Sequence, residues 1–415
     1  MNTVYAALLT ASAQISKLLV GFVLLKMIAY YLGAAGLGAL GHFMSMVTIV
    51  SMLAGGGITN GIIKYVAEYR FSPRKMLAFI SASVLYALVF SLIFFVLGIV
   101  FSRSISFFIF GSAESYWVII LLAFVQLGSA FTNLVTGVSN GLGDTKTYAK
   151  IQIIGNILGL PIAYFLLRGY GVSGAALGIL AILAAQFLPA YYFFRISPFK
   201  WRAFKFKSSR SHYLNLSLFT AMLATSVVAF PVVEILVRER LIKSAGYTQA
   251  GIWQGAIKLS NAYLSFFGVF LAYYFMPLIS AEIDKKIIAR HVFRVLFFVM
   301  GLFLLGATIF YAWRSFFIPV LLSKDFEVLE DFIVFQLIGD FFKISAYVIG
   351  FVGVAKAATK LYIGAEVFQS AGFLGLSIIL GAYLPAIEGV FLGYMLIYIL
   401  YFILSLSIFL WWVKR

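Results

Sequence analysis

Unbroken apolar runs of about 20 residues recur from end to end of the chain, set apart by short charged or glycine-bearing segments, and a run of that length crosses the hydrocarbon of a bilayer as a helix. Only helices and closed barrels satisfy their backbone groups in lipid. Barrel strands alternate in hydropathy over about ten residues, and these runs do not alternate. The chain therefore reads as an all-α integral membrane protein of about 12 transmembrane helices. Composition agrees, since 63% of residues are hydrophobic and 11% charged, too apolar for a soluble domain.

The spans are expected near 4–31, 37–67, 75–102, 116–140, 147–167 and 173–194, then near 213–237, 249–280, 288–313, 332–356, 361–382 and 388–412. The first lacks a basic leader and a small-residue cleavage site, so it reads as a retained helix. Lys and Arg then sort by loop. Arg70, Arg74, Lys75, Lys146, Lys150, the six between Arg195 and Arg210, Lys285, Lys286, Arg290, Arg294, Lys356, Lys360, Lys414 and Arg415 fall on one side. Only Arg103, Arg168, Arg238, Arg240, Lys243, Arg314 and Lys324 fall on the other. Cytoplasmic loops retain the positive residues, which puts both termini in the cytoplasm. The net charge of +17 is thus a loop bias rather than a basic face, and no nucleic-acid partner is expected. Tyr30, Tyr31, Tyr191, Tyr192, Trp201, Trp411 and Trp412 stand at span ends, as an aromatic belt does. The chain has no cysteine, and His42, His212 and His291 lie far apart. Thiol chemistry is excluded, and no metal or cofactor is expected.

Short matches recur at a separation of about 214 or 215 positions: Ala35-Gly36 with Ala250-Gly251, Ala67-Glu68 with Ala281-Glu282, Thr145-Lys146 with Thr359-Lys360, and Gly174 and Gly178 with Gly389 and Gly393. Six spans per repeat give both halves the same orientation. This predicts two parallel six-helix lobes, 1–195 and 212–415, joined by a basic linker at 196–211, with the substrate path between them.

Charge in hydrocarbon costs several kcal/mol, about 2.5–3.5 at a helix centre, so intramembrane ionisable residues are candidate functional groups. In the first half these are Lys17, Lys26 and Lys64. Lys17 lies about 13 residues, or about 20 Å, from either end of its span, too deep for easy snorkelling. It shares a helical stripe with Thr10, Gln14 and Gly21, which reads either as a cavity wall offering the ammonium to an anion or as a lysine paired with a carboxylate. Lys26 and Lys64 lie nearer span ends, where snorkelling accounts for them as well as function does. The second half is mixed in sign, with Glu234 and Arg238, Lys258, Asp340 and Lys343, and Glu366. Asp340 and Lys343 stand three apart near mid-span and face the same way, as a self-neutralising pair or as a coupling site. Glu234 follows Pro231, whose missing donor is expected to bend its helix. Lys258, Asn261 and Ser265 form a second stripe, and Trp253 before it is expected at the interface, as a belt residue or a platform for a sugar.

Several stretches carry a family resemblance. YLGAAGLGALGHF from Tyr31 to Phe43 and GGGITNGIIKYVAEY from Gly55 to Tyr69 resemble the first two helices of the polysaccharide transporter branch of the MOP flippase superfamily. AGIWQG at Ala250, QLIGDFFK at Gln336 and YIGAEVFQ at Tyr362 are similar to the Wzx-type flippases, especially those for enterobacterial common antigen. The resemblance implies two lobes in a MATE-like V around a cavity. It further implies transfer of an undecaprenyl-diphosphate-linked oligosaccharide, an O-antigen or common-antigen unit, from the cytoplasmic to the periplasmic leaflet of the bacterial inner membrane. H+ or Na+ would be the coupling ion, with membrane lipid, a glycan polymerase and a chain-length regulator as partners. Its pattern carries over to Lys17, Lys26, Asn60 and Lys64, which with Lys258 and Asn261 are candidates for the substrate. It also carries over to Asp340, Lys343 and Glu366, which with Glu234 are candidates for coupling. Two other functions fit a polytopic chain. A cation-coupled drug exporter of the same fold should have carboxylates dominating its first lobe, and here the membrane charges of that half are chiefly basic. A glycan-transfer enzyme needs a sizeable loop for its catalytic groups, and the loops are short.

Overall fold

The computed structural model describes residues 3–197, 209–356 and 358–414, none of them in a strand. The expected linker at 196–211, with Trp201 and most of its basic residues, lies largely outside them. In chain order the helices are α1 (Thr3–Leu53), α2 (Thr59–Glu68), α3 (Pro73–Val100), α4 (Ser102–Phe110), α5 (Tyr116–Gly141), α6 (Thr145–Ala185) and α7 (Phe187–Ile196). Then follow α8 (Arg210–Phe270), α9 (Met276–Ala281), α10 (Lys285–Ala312), α11 (Arg314–Leu321), α12 (Leu329–Ala355), α13 (Thr359–Leu380) and α14 (Ala386–Lys414).

Three of these run on through a corner. The 58-residue stretch Ala11–Glu68 is far longer than the roughly 20 residues that one crossing needs, and its helix is broken by a kink at Gly33, with φ 64° and ψ −170°. Gly171 (φ 55°) kinks α6 and Gly246 (φ 81°, ψ 174°) kinks α8 in the same way. Positive φ is open to glycine at no steric cost, which is why the corners fall there. With each corner counted as a boundary, the described residues form 12 long helical passes that match the sequence reading to within several residues. The chain is thus a multi-pass, all-α membrane protein.

The repeat extends from short motifs to whole elements. Gly33 and Gly246 share one unusual backbone conformation. Helices α3 and α10 are each 28 residues long. Each is followed by a short helix, α4 or α11, and by a 3-10 turn, Ala113–Ser115 or Lys324–Phe326. One sequence expectation needs correction, since the pass expected at 37–67 is not continuous. Gly55, Gly56 and Gly57 all take positive φ (72°, 82° and 66°) and break it between α1 and α2. The break is held by Thr220, whose hydroxyl donates to the Gly56 carbonyl at 2.6 Å and lies 2.9 Å from Tyr86 Oη. The matching region of the second repeat is also irregular, a π turn at Leu271–Phe275.

The chain forms two compact units, Met1–Tyr31 with His42–Pro231, and Leu32–Gly41 with Val232–Arg415. These differ from the lobes drawn from sequence in two places. The first part of α8 packs with the first unit, where Phe219 and Leu223 close over Gly61 and Gly57. The division falls at Pro231, where the backbone stays helical. Conversely, the segment around the kink at Gly33, Leu32–Gly41, belongs to the second unit. A Cβ on Gly251 would stand 1.7 Å from the Ala34 carbonyl oxygen, and one on Gly38 2.1 Å from that of Tyr247. The two backbones therefore touch through small residues, as closely packed membrane helices do. Gly251→Ala is expected to lower the yield of folded protein, in line with about 1–3 kcal/mol for overpacking. Gly301→Ala, where nothing lies within 4 Å, should leave yield unchanged or raised. Size-exclusion profiles of detergent-solubilised protein compare the two.

Candidate functional site

In the first unit the expected stripe of α1 divides. Gln14 turns toward α6 and donates to Tyr148 Oη at 3.2 Å, and Ser16, Asn156 and Gln186 continue that polar contact. Lys17 and Gly21 are exposed, and a Cβ on Gly21 would meet nothing within 4 Å. Lys17 makes no hydrogen bond or ion pair with a described residue, whereas Thr10 lies outside the described side chains. Lys26 is half-buried. Asn60 and Lys64 are exposed one turn apart on α2, and the Lys64 ammonium lies 4.9 Å from the Tyr65 ring and 6.0 Å from the Phe219 ring.

The second unit gathers its charges. Asp340, fully buried on α12, accepts at Oδ2 from Ser260 at 2.6 Å, from Tyr263, and from Gln336 Nε2 at 3.4 Å. Its Oδ1 accepts from Tyr394 at 2.6 Å. Tyr394 in turn accepts from the Lys343 ammonium at 3.2 Å, so one phenol bridges lysine and carboxylate. The ammonium also lies 5.4 Å and 4.8 Å from the Tyr394 and Tyr398 rings, a cation–π arrangement in a dry setting. Glu234 and Glu366 are within electrostatic reach of Lys343, and Glu234 and Arg238 are within reach of Lys258. Three named cations thus face three named anions in one cluster, of which Glu234, Arg238, Asp340 and Lys343 are buried. Glu366 accepts from Gln369 at 2.7 Å, Lys258 is half-buried, and Asn261 is exposed.

A neighbouring cluster centres on Arg238, which is fully buried rather than at a loop. Its Nε and Nη2 donate to Gln254 Oε1 at 3.2 and 2.6 Å, and Nη2 lies 4.0 Å from Glu234. Gly41 makes room for it, because a Cβ there would stand 2.3 Å from Nε. Trp253 is fully buried as well, which corrects its assignment to the interface and removes it as a sugar platform. Its ring carries the Arg238 guanidinium at 5.7 Å and packs on Phe373 at 6.2 Å. Tyr30, Tyr31, Tyr191, Tyr192 and Trp411 are exposed, as belt residues are.

Sequence reasoning missed Ser260, Tyr263, Gln336 and Tyr394. Two signals were available: Gln336, Asp340 and Lys343 stand at i, i+4, i+7 on α12, and Tyr394, Tyr398 and Tyr401 at the same spacing on α14.

Residues 5–281 match the family described as polysaccharide biosynthesis protein. The lipid III flippases of Escherichia coli (strain K12) and Shigella flexneri are each 33% identical to this chain over an alignment of 424 residues that covers all of both proteins. Among solved structures, the inward-facing conformation of a multidrug resistance MATE family transporter of the MOP superfamily superposes with a TM-score of 0.72 at 14% identity, covering 94% of each chain. The outward-facing conformation of such a transporter gives 0.63 at 14% identity, covering 99% of this chain and 94% of the other. Likeness at that identity concerns the fold, and it agrees with the MOP resemblance of the motifs.

Proposed function

Because the chain belongs to the polysaccharide biosynthesis protein family, we propose that it is a flippase, a transporter that carries a lipid-linked oligosaccharide across the membrane without covalent chemistry. The observation that carries this reading is the 33% identity to lipid III flippases over the entire length of both chains. The substrate is an undecaprenyl-diphosphate-linked unit, moved from the cytoplasmic to the periplasmic leaflet of a bacterial inner membrane. A diphosphate is expensive to desolvate, and an exposed lysine at mid-span offers it a charge-assisted hydrogen bond. Lys17 is that group, with Lys26, Asn60, Lys64, Lys258 and Asn261 as further contacts. The cluster of Asp340, Lys343, Glu234 and Glu366 takes the coupling role, with the buried Asp340 as the group that gains and loses the coupling charge. The test is complementation: the chain is expressed in strains that each lack one defined flippase, and the surface glycan that returns names the substrate. Return of none, with inserted protein present, overturns the proposal.

Orientation is checked separately. From the loop charge bias, reporters fused after Arg415 and within Arg202 to Arg210 are both expected to report from the cytoplasm. A periplasmic signal at either position reverses the topology.

A further inference from the structure

Apart from its charges, the Asp340 pocket is a cluster of oxygens. Asp340 Oδ1 and Oδ2, Ser260 Oγ, Tyr263 Oη and Tyr394 Oη converge through the hydrogen bonds described above. Gln336 Nε2 donates into the cluster at 2.8 Å to Ser260, while its buried Oε1 accepts nothing from the described residues. Carboxylate, hydroxyl and amide oxygens are the donor set that hard cations such as Na+ and Ca2+ select. In a lipid-embedded helix bundle this set would read as a metal-cation site but for one feature, the ammonium of Lys343 standing 3.2 Å from Tyr394 Oη.

We infer that Lys343 is the resident cation of this oxygen cradle, and that the site therefore exchanges protons and excludes Na+. The inference rests on the coupling reading above and gives it an ion. A Na+ ion entering beside a fixed ammonium would meet a like charge in a low-dielectric interior, where repulsion is strongest. A proton needs no shell of ligands. It adds to Asp340, whose new O–H donates to a neighbouring hydroxyl that turns its own proton elsewhere, and it is later returned to water, while Lys343 keeps its charge throughout.

The groups that face the pocket support this assignment. Helix α8 presents Glu234, Arg238, Lys258, Ser260 and Tyr263, α12 presents Gln336, Lys343 and Tyr347, and α13 presents Glu366. Helix α14 presents Tyr394, Tyr398 and Tyr401, and α10 packs the apolar Phe303 with its ring 5.7 Å from that of Tyr263. Tyr394 holds a specific place among them, as the hydroxyl that touches both the carboxylate and the ammonium.

The test uses the purified full-length chain and needs no glycan, so its outcome is separate from that of the complementation. Thermal unfolding is followed at about 100 mM NaCl and again with choline chloride at equal ionic strength. The wild type is expected to differ by less than about 1 °C between the two salts, and Lys343→Met, which empties the cradle, to gain at least about 2 °C in Na+. The double variant Lys343→Met, Asp340→Asn should lose that gain. In proteoliposomes the wild type should respond to a pH gradient and not to a Na+ gradient. A Na+-specific shift in the wild type overturns the inference, as does a folded Lys343→Met that ignores Na+. Lys343→Gln gives the same reading where the Met variant folds poorly.

Discussion

Lys17→Ala is expected to lose most glycan export while accumulating in the membrane at the level of the wild type. The residue is exposed at the middle of its pass and makes no hydrogen bond or ion pair with a described residue. Its removal therefore orphans no described partner, and a substitution away from packing and hydrogen bonds usually changes stability by about 0.5 kcal/mol or less. Insertion should be eased, since a lysine at a helix centre costs about 2.5–3.5 kcal/mol. Export is a different matter. A hydrogen bond to a charged group contributes about 1.5–3 kcal/mol, so loss of one to the diphosphate lowers transport by about one to two orders of magnitude. Lys17→Glu should be at least as inactive, because it sets a like charge against the substrate. Lys17→Arg keeps the charge in a broader planar fork and should retain part of the activity. The measurement is glycan export in complemented cells, normalised to inserted protein. Full export by Lys17→Ala would remove Lys17 from the substrate path.

The passes, the repeat and most of the charged residues were legible in the sequence because each leaves a local mark. Hydropathy over about 20 residues finds a pass, and a fixed separation between short motifs finds a duplication. The depth of Lys17 needed only a count from the span ends. Other features depend on what a residue meets far along the chain. Trp253 carries the signature of a belt residue, yet it is buried on Phe373 beneath the Arg238 guanidinium. From sequence Arg238 counts both with the loop residues and with Glu234 on its helix, whereas the absent side chain of Gly41 and the amide of Gln254 make a buried place for it. The seating of Leu32–Gly41 in the second unit turns on backbone approach at Gly38 and Gly251. A glycine in sequence announces freedom, not the partner that uses it. In the same way, Asp340 and Lys343 were found as a pair from their spacing, but the hydroxyls between and around them come from α8 and α14, distant in sequence.

That cage separates the two roles open to Asp340. Every named neighbour of its carboxylate donates to it. Asp340→Asn holds the side chain permanently in the neutral form that a proton gives it only for part of the cycle, brings two amide hydrogens where the protonated acid brings one, and leaves Lys343 without its bridged counter-charge throughout. Breaking one partner of a buried charge pair costs about 3–5 kcal/mol, so the single variant should lose both transport and much of its folded protein. Loss of transport alone therefore decides nothing. The double variant Asp340→Asn, Lys343→Met does decide, because replacing both charges of a buried pair by neutral groups is often neutral or stabilising. If the pair is structural, the double variant regains folded protein and export together. If Asp340 carries the coupling proton, the double variant regains folded protein but remains uncoupled, and its export no longer rises with an imposed pH gradient. Folded yield and gradient-driven export measured on the same samples distinguish these outcomes, and recovery of both to the wild-type level would return Asp340 to a purely structural role.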